Sequence, residues 1–524
     1  MRIYWLNPPL TTRALYADIG WMNFNTACKQ YDWVQPIIDW SEYHTVDNVV
    51  AHILESEVSV LMVSTYTWNH ILISKVCDQI KQLHPEIIII RGGPQQGYNE
   101  KFFEDNPSID YLCYSTGYGE EFIQAALPQI EQHGKIVNEE SVPWLISRTH
   151  HAQIVKRKYE FPTESAIEHN IHYVAEVFNV AKDKNIRYGV QYETSRGCPY
   201  QCTYCEWGSG GTGAKVSQKP LSVINKDIEL LSTMGIKDFE IIDANFGIFP
   251  RDIEILNTIV ESRKLFNAPE NLMLYGLAKV RAEKKEKILD VMFENGLMDY
   301  YFMSVQSGSQ EVLDNVKRTD ITLEDNLRLA SKYRTMYGIP VKVELILGLP
   351  GSTLDVFYYE MDLIQKFGGW VWPRAPFSIL PDTEAAGKLY QRLHKIKTSK
   401  IGVPENDENE DKYISDSVII KYRSYQEIVT ESYSFSTEDW KEMFFMNRAQ
   451  KVLGPMLKED QQASVVLRNI FKQIKVMPWY EEVDRELSRM VSGDRKDEDS
   501  GLINGRLIEE YIQDHVTEIQ FVGD

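Results

Sequence analysis

Cysteine is scarce in this chain: there are six in 524 residues, three of them inside one eight-residue stretch. So few thiols, so unevenly spread, exclude a disulfide-stapled secreted scaffold. Basic charge is also in deficit, with 56 Lys and Arg against 76 Asp and Glu and a formal net charge of −20. Duplex nucleic acid is bound by neutralising phosphates with Lys and Arg, so no nucleic-acid partner is expected. The acidity reads as a solubility device. No apolar stretch reaches the ~20 residues of a membrane-spanning helix. The start, Met1-Arg2-Ile3-Tyr4-Trp5-Leu6-Asn7-Pro8-Pro9, has one basic residue and too short an apolar run for a secretory signal. No membrane association is expected, and the localisation read from these absences is cytoplasmic, where thiols stay reduced. Internal repeats and low-complexity tracts are absent as well.

What is present is globular: 43% hydrophobic and 25% charged residues, in a chain too long for one core. Ile3-Tyr4-Trp5-Leu6, Val58 to Ser64, Ile87-Ile88-Ile89-Ile90 and Ile109-Asp110-Tyr111-Leu112-Cys113 are short apolar runs separated by helical stretches, the second followed by a helix from Ser74 to Leu83. That alternation predicts a doubly wound parallel sheet with its ligand crevice at the carboxyl ends of the strands.

The chemistry concentrates in Gly197-Cys198-Pro199-Tyr200-Gln201-Cys202-Thr203-Tyr204-Cys205. Three thiolates on one short loop can hold three irons of a four-iron, four-sulfur cluster and leave the fourth open to a substrate or cofactor. A structural zinc loop would want a fourth ligand, and the next histidine after Cys205 is His394. The spacing resembles that of the radical S-adenosylmethionine (SAM) superfamily. The resemblance implies a 4Fe-4S cluster on Cys198, Cys202 and Cys205, with SAM on the open iron and Tyr204 near the adenine. It also implies reductive cleavage of SAM to a 5′-deoxyadenosyl radical, fed by an external electron donor such as flavodoxin or ferredoxin.

The loops after the first strands resemble the cobalamin-binding domain that precedes many radical SAM cores. Ser64-Thr65-Tyr66-Thr67-Trp68-Asn69, Gly92-Gly93-Pro94 and Gly117-Tyr118-Gly119-Glu120-Glu121 follow successive strands. Glycines at strand ends let backbone approach a flat macrocycle, and Ser64 and Thr65 can donate to a buried nucleotide tail. The resemblance implies that cobalamin is held by Ser64, Thr65, Tyr66, Trp68, Asn69, Gly92, Gly93, Pro94, Gly117, Gly119 and Glu120. The Asp-x-His-x-x-Gly loop that puts a histidine under cobalt in mutases does not occur here. Cobalamin is therefore expected with its own base displaced and no histidine beneath the metal.

Tyr188 to Thr194 reads as the strand that delivers the cysteine loop, followed by a helix from Leu221 to Met234. Further strands are read at Phe239 to Asp243, Met273 to Leu277, Tyr300 to Gln306, Val341 to Leu347 and Phe377 to Leu380, with helices at Glu283 to Glu294 and Leu323 to Tyr337. Six βα units predict a partial (β/α)6 barrel with its chemistry at the carboxyl strand ends. Asp243, Ser304, Gln306, Glu344 and Gly348 resemble the family's SAM-holding positions. Internal hydrogen bonding is the alternative for Gln306 and Glu344, and Lys219 is a candidate to neutralise a carboxylate.

Beyond Asp382 the alternation stops. Helices are read at Thr437 to Val452, Ser464 to Ile474 and Leu502 to His515, and the acidic runs 405–411 and 494–499 as solvated loops. Trp440, Phe444, Phe445 and Met446 read as a helical core face. The expected organisation is α/β throughout the first three segments: 1–135 a Rossmann-like cobalamin-binding domain, 136–185 a linker and 186–385 the radical SAM barrel. Residues 386–524 are expected to be a mainly helical domain that caps the barrel and selects substrate. The resemblance implies a cobalamin-dependent radical SAM enzyme, class B methyltransferase-like, methylating an unactivated sp3 carbon of a small-molecule or peptide substrate. Ring formation or rearrangement without methyl transfer is the alternative, and a non-catalytic iron–sulfur sensor a second. Neither the substrate nor the oligomeric state can be read from the sequence.

Overall fold

A computed structural model describes residues 1–10, 14–95, 101–114, 117–151, 158–209, 215–274, 277, 279, 282–319, 322–368, 370–371, 374–402, 425–457, 461–492 and 505–521. Both acidic runs lie outside the described residues, as do Tyr275 and Gly276 of the strand expected at Met273 to Leu277. The described chain divides into two compact units. One holds residues 1–201 and 205–278, the other 202–204, 279–402 and 425–521.

The first unit carries β1 (Arg2–Leu6), β2 (Ala14–Ala17), β3 (Asp32–Trp33), β4 (Val60–Ser64), β5 (Ile88–Gly92), β6 (Tyr111–Cys113) and β7 (Leu145–Ile146). It continues with β8 (Arg187–Tyr192), β9 (Ser195–Arg196), β10 (Ser217–Gln218), β11 (Asp238–Ile241) and β12 (Asn271–Leu274). Its larger sheet has the order β3-β1-β4-β5-β6-β7, parallel except for the antiparallel β7 edge. Every residue of β4 is buried because helices cover both faces, which is why such strands read as unbroken apolar runs. Tyr4, Leu6, Leu61, Val63 and Ile89 pack there against Val49 and Ile53 of the Val46–Glu55 helix and Ile73, Val76 and Ile80 of the His70–Leu83 helix.

The second sheet, β12-β11-β8-β2, is wholly parallel. Its edge strand β2 comes from the amino-terminal segment, with Tyr16 paired to Gly189. At Gly189 an added Cβ would lie 2.4 Å from the Asp238 carbonyl, so only glycine lets β8 and β11 approach this closely.

The other unit holds β13 (Tyr301–Gln306), β14 (Val341–Leu347), β15 (Trp370–Val371), β16 (Ala375–Pro376), β17 (Lys397–Gly402) and β18 (Tyr425–Glu431). β14 pairs in parallel with β13, β15 and β16. The strand expected at Phe377 to Leu380 falls instead at β16, because Ile379 N donates to the Glu427 carbonyl and Val429 N to the Phe377 carbonyl, which ties that segment to β18. β17 and β18 form an antiparallel pair in the region expected to be helical. The helices Thr437–Leu453, Ala463–Ile474, Tyr480–Ser492 and Gly505–His515 complete this unit. Trp440, Phe444, Phe445 and Met446 are core, as their spacing indicates. Among the described residues no helix is long and apolar enough to cross a membrane.

Candidate cofactor sites

In the first unit a cavity of about 190 Å³ opens at the carboxyl ends of β4, β5 and β6. Ser64, Tyr66, Gly92, Gly93, Pro94, Gly119 and Glu120 line it, as expected from the sequence. Gly93 has φ +93°, and a Cβ there would sit 2.5 Å from the Thr65 backbone, so this wall is open only because it is glycine. Thr65 and Asn69 do different work. Thr65 Oγ1 donates to the Gly92 carbonyl at 2.9 Å, and Asn69 Oδ1 accepts from Tyr66 N at 2.7 Å while its amide donates to Pro8 and Ser64 carbonyls. Trp68 stacks on Tyr66 at 4.4 Å and donates to the Pro8 carbonyl. These three fix the loop whose Ser64 and Tyr66 face the cavity.

The cavity also takes residues the sequence reading passed over: Trp5, Asn23, Phe24, Glu193 and Arg196. Arg196 bonds Glu120 at 3.1 Å and Glu193 at 2.7 Å, and donates to the Gly117 carbonyl at 2.9 Å. Burial alone would lower the pKa of Arg196, but the Glu120 and Glu193 carboxylates more than offset it and hold it well above its usual value. Its place directly before Gly197-Cys198 was the available signal. Behind it, burial lowers the Lys219 pKa, against the pull of Asp227 and Glu193.

Asp243 fixes the entry to the cysteine loop. Its carboxylate accepts from the backbone N–H and the hydroxyl of both Thr194 and Ser195. Burial pushes its pKa up to about 6, with those bonds opposing. Two residues on, Asn245 Nδ2 lies 3.0 Å from Cys198 Sγ, and in the other unit Lys279 Nζ lies 3.0 Å from Cys202 Sγ. Cys198 and Cys202 are buried, Cys205 is partly exposed, and all are free thiols. Among the described residues no three His, Cys, Asp or Glu side chains stand together as a metal-holding group. The cysteine set is thus defined by its loop, and metal sites of this kind are completed by the ion that binds. Three thiolates with a hydrogen-bond donor at two of the sulfurs suit an iron–sulfur cluster.

In the second unit Tyr204 OH accepts from Arg318 Nη1 at 3.0 Å. Ser304 and Glu344, opposite each other across β13 and β14, bond at 2.5 Å. Gln306 sits at a register shift with φ +72°, and among the described residues its buried Oε1 has no hydrogen-bond partner. A side-chain carbonyl buried in strained backbone can accept from a ligand, and a SAM amine or hydroxyl would fit it. Gly348 has φ +83°, with Phe435 and Trp440 3.4 and 3.5 Å from where its Cβ would be. The loop after Gln306 is braced by buried Glu360, which accepts from Ser307 Oγ at 2.7 Å and Gly308 N at 2.6 Å and pairs with Arg374 at 3.1 Å.

Residues 192–364 match the Radical SAM superfamily and residues 10–127 the B12 binding domain. The chain therefore combines a radical SAM domain with a B12-binding domain, followed by a mostly helical carboxyl-terminal segment, and its homologues include cobalamin-dependent radical SAM methyltransferases. It is 27% identical over 439 residues to a 2-(S-pantetheinyl)-carbapenam-3-carboxylate methyltransferase of Streptantibioticus cattleyicolor, covering 81% of this chain and 60% of the relative. Over 368 residues it is 27% identical to the cobalamin-dependent radical SAM methyltransferase TokK of Streptomyces tokunonensis, covering 67% and 52%. The chain thus spans a little over half the length of these relatives. Its fold is like that of the radical SAM methyltransferase TsrM from Kitasatospora setae, solved with cobalamin and a [4Fe-4S] cluster. The TM-score is 0.60 at 15% identity, with 87% and 89% of the two chains covered. OxsB, a cobalamin-dependent SAM radical enzyme solved with aqua-cobalamin, gives 0.59 at 18% identity, covering 99% and 76%. The Radical SAM domain implies a 4Fe-4S cluster and SAM, and the B12 binding domain implies cobalamin.

Proposed function

We propose that this chain is a cobalamin-dependent radical SAM enzyme that methylates an unactivated sp3 carbon of a small natural-product or peptide substrate. One cavity carries the reading. It is reached both by the B12-domain loops, through Ser64, Gly93 and Glu120, and by the segment entering the cysteine loop, through Glu193 and Arg196. When bound, the cluster with SAM supplies hydrogen abstraction and cobalamin the methyl group. The chain's own share is placement. Cys198, Cys202 and Cys205 hold the iron, with Asn245 and Lys279 donating to two of the sulfurs. Asp243 fixes the loop's entry and Gln306 offers its carbonyl to SAM. The cavity glycines admit the nucleotide tail of cobalamin. In this reading residues 1–135 bind cobalamin, 136–185 link, 186–385 form the radical SAM domain and 386–524 enclose the substrate.

The test is product mass from the protein reconstituted with iron, sulfide and cobalamin and given SAM and a reductant. A gain of one methylene in the substrate, with 5′-deoxyadenosine released, is expected. A loss of hydrogens without methyl gain would favour ring formation or rearrangement. An intact cluster releasing no 5′-deoxyadenosine would make the protein a sensor.

A further inference from the structure

Thr203, one of the two residues between the second and third cysteines, is held from one side by a surface helix. Thr203 is fully buried; its N–H donates to the Val316 carbonyl at 3.0 Å, its carbonyl accepts from Ala385 N at 2.9 Å, and its hydroxyl meets Tyr390 OH at 3.0 Å. Tyr390 is the buried face of the Lys388–Leu393 helix. The outer face is apolar and basic. Leu389 and Leu393, one turn apart, are 75% and 70% exposed. Lys388, Arg392 and Lys395 stand exposed around them. From Lys388 to Lys400 the sequence has five Lys and Arg and no Asp or Glu, in a protein of net charge −20. Lys397 pairs with Glu431 at 2.6 Å.

An apolar centre ringed by one sign of charge is how transient protein contacts are built, with steering from the charge and residence from the apolar contact. Its distance from the cysteine loop is one helix thickness, ~10 Å with side chains. We propose that this face is the docking surface for a small acidic one-electron carrier protein of the flavodoxin or ferredoxin kind. The inference rests on the cluster reading above. In the step it serves, the reduced carrier loses one electron, the oxidised iron–sulfur centre gains it, and no bond or proton moves.

The test mixes the full chain, carrying its cluster, with reduced flavodoxin and follows the bleaching of the cluster's visible absorption. Wild type is expected to react fastest at low salt and to slow steeply as salt rises. K388E/R392E/K395E is expected to react at least ~10-fold more slowly at low salt and to lose that dependence, while dithionite reduces both proteins equally. L389S/L393S is expected to keep the salt dependence at a reduced rate. Equal rates and equal salt dependence for wild type and the triple variant overturn the proposal. Carbodiimide coupling of flavodoxin to Lys388 and Lys395 is expected in iron-free protein too, and its absence overturns the docking surface. Failure of wild type to take up iron would instead sink the cluster reading. Dimers of the chain alone that L389S/L393S abolishes would assign the face to a second copy and overturn the proposal.

Discussion

Arg196 meets Glu120 across 76 residues of sequence, its two terminal nitrogens 3.1 and 3.2 Å from the two carboxylate oxygens. Both side chains are only 12% exposed, and the Arg196 guanidinium also lies 4.0 Å from the Tyr159 ring centroid. The strand that leads into Cys198 is thereby fastened to the start of the Gly119–His133 helix, which rims the cavity.

Arg196→Gln leaves Glu120 and Glu193 buried without their cation. Breaking a buried pair costs about 3–5 kcal/mol, so the unfolding free energy measured by denaturant titration should fall by most of that amount. Glu120→Gln keeps the Glu193 pairing and is expected to cost less. Equal, small losses in both variants would show that the pairing carries little.

Gly93→Ala puts a methyl into the Thr65 backbone at a φ of +93°. Strain of this kind costs about 1–3 kcal/mol. Cobalamin affinity, read from the shift in the cofactor's absorption on titration, should fall at least ~10-fold. An unchanged affinity would remove this wall from the cobalamin site.

Gln306→Gly relieves a strained φ and removes the orphaned Oε1. Ligand-free protein should melt at the same or a higher temperature while SAM binds more weakly, the exchange expected where strain serves a ligand. A fall in both would make Gln306 a structural residue.

The pH dependence of stability should carry a signature of Asp243. Its folded pKa, about 6, lies above the ordinary 3.8, so the folded state binds the extra proton between those values. Its contribution is full below pH ~4 and lost as pH rises through 6, on the order of 2–3 kcal/mol in all. Denaturation of iron-free protein across that window should show wild type losing ground steadily with rising pH. Asp243→Asn should lack that slope.

The sequence disclosed what depends on short contiguous patterns. The all-buried strand β4, the cysteine spacing and the glycines after β5 announce themselves, because a fully covered strand must be apolar and a close approach must be glycine. It disclosed less where a role depends on a distant partner. Thr65 and Asn69 were expected to face the cofactor, but the Gly92 and Pro8 carbonyls claim them. Arg196 has partners 76 and 79 residues away, Glu120 and Gly117, and Asp243 has its own 48 and 49 residues off, in Ser195 and Thr194. β2 has only four residues, and the β17 and β18 pair has its two strands far apart in sequence, so neither leaves a local period to detect.

Because β2 is drawn from the amino-terminal segment yet hydrogen-bonds to β8, the two matched domains are not beads on a string. A cut near residue 135 would free β8 of its neighbour and bare a sheet edge, inviting aggregation. Any exchange of cobalamin modules among such proteins, in the laboratory or in descent, has to carry Ala14–Ala17 along or supply a strand of matching register.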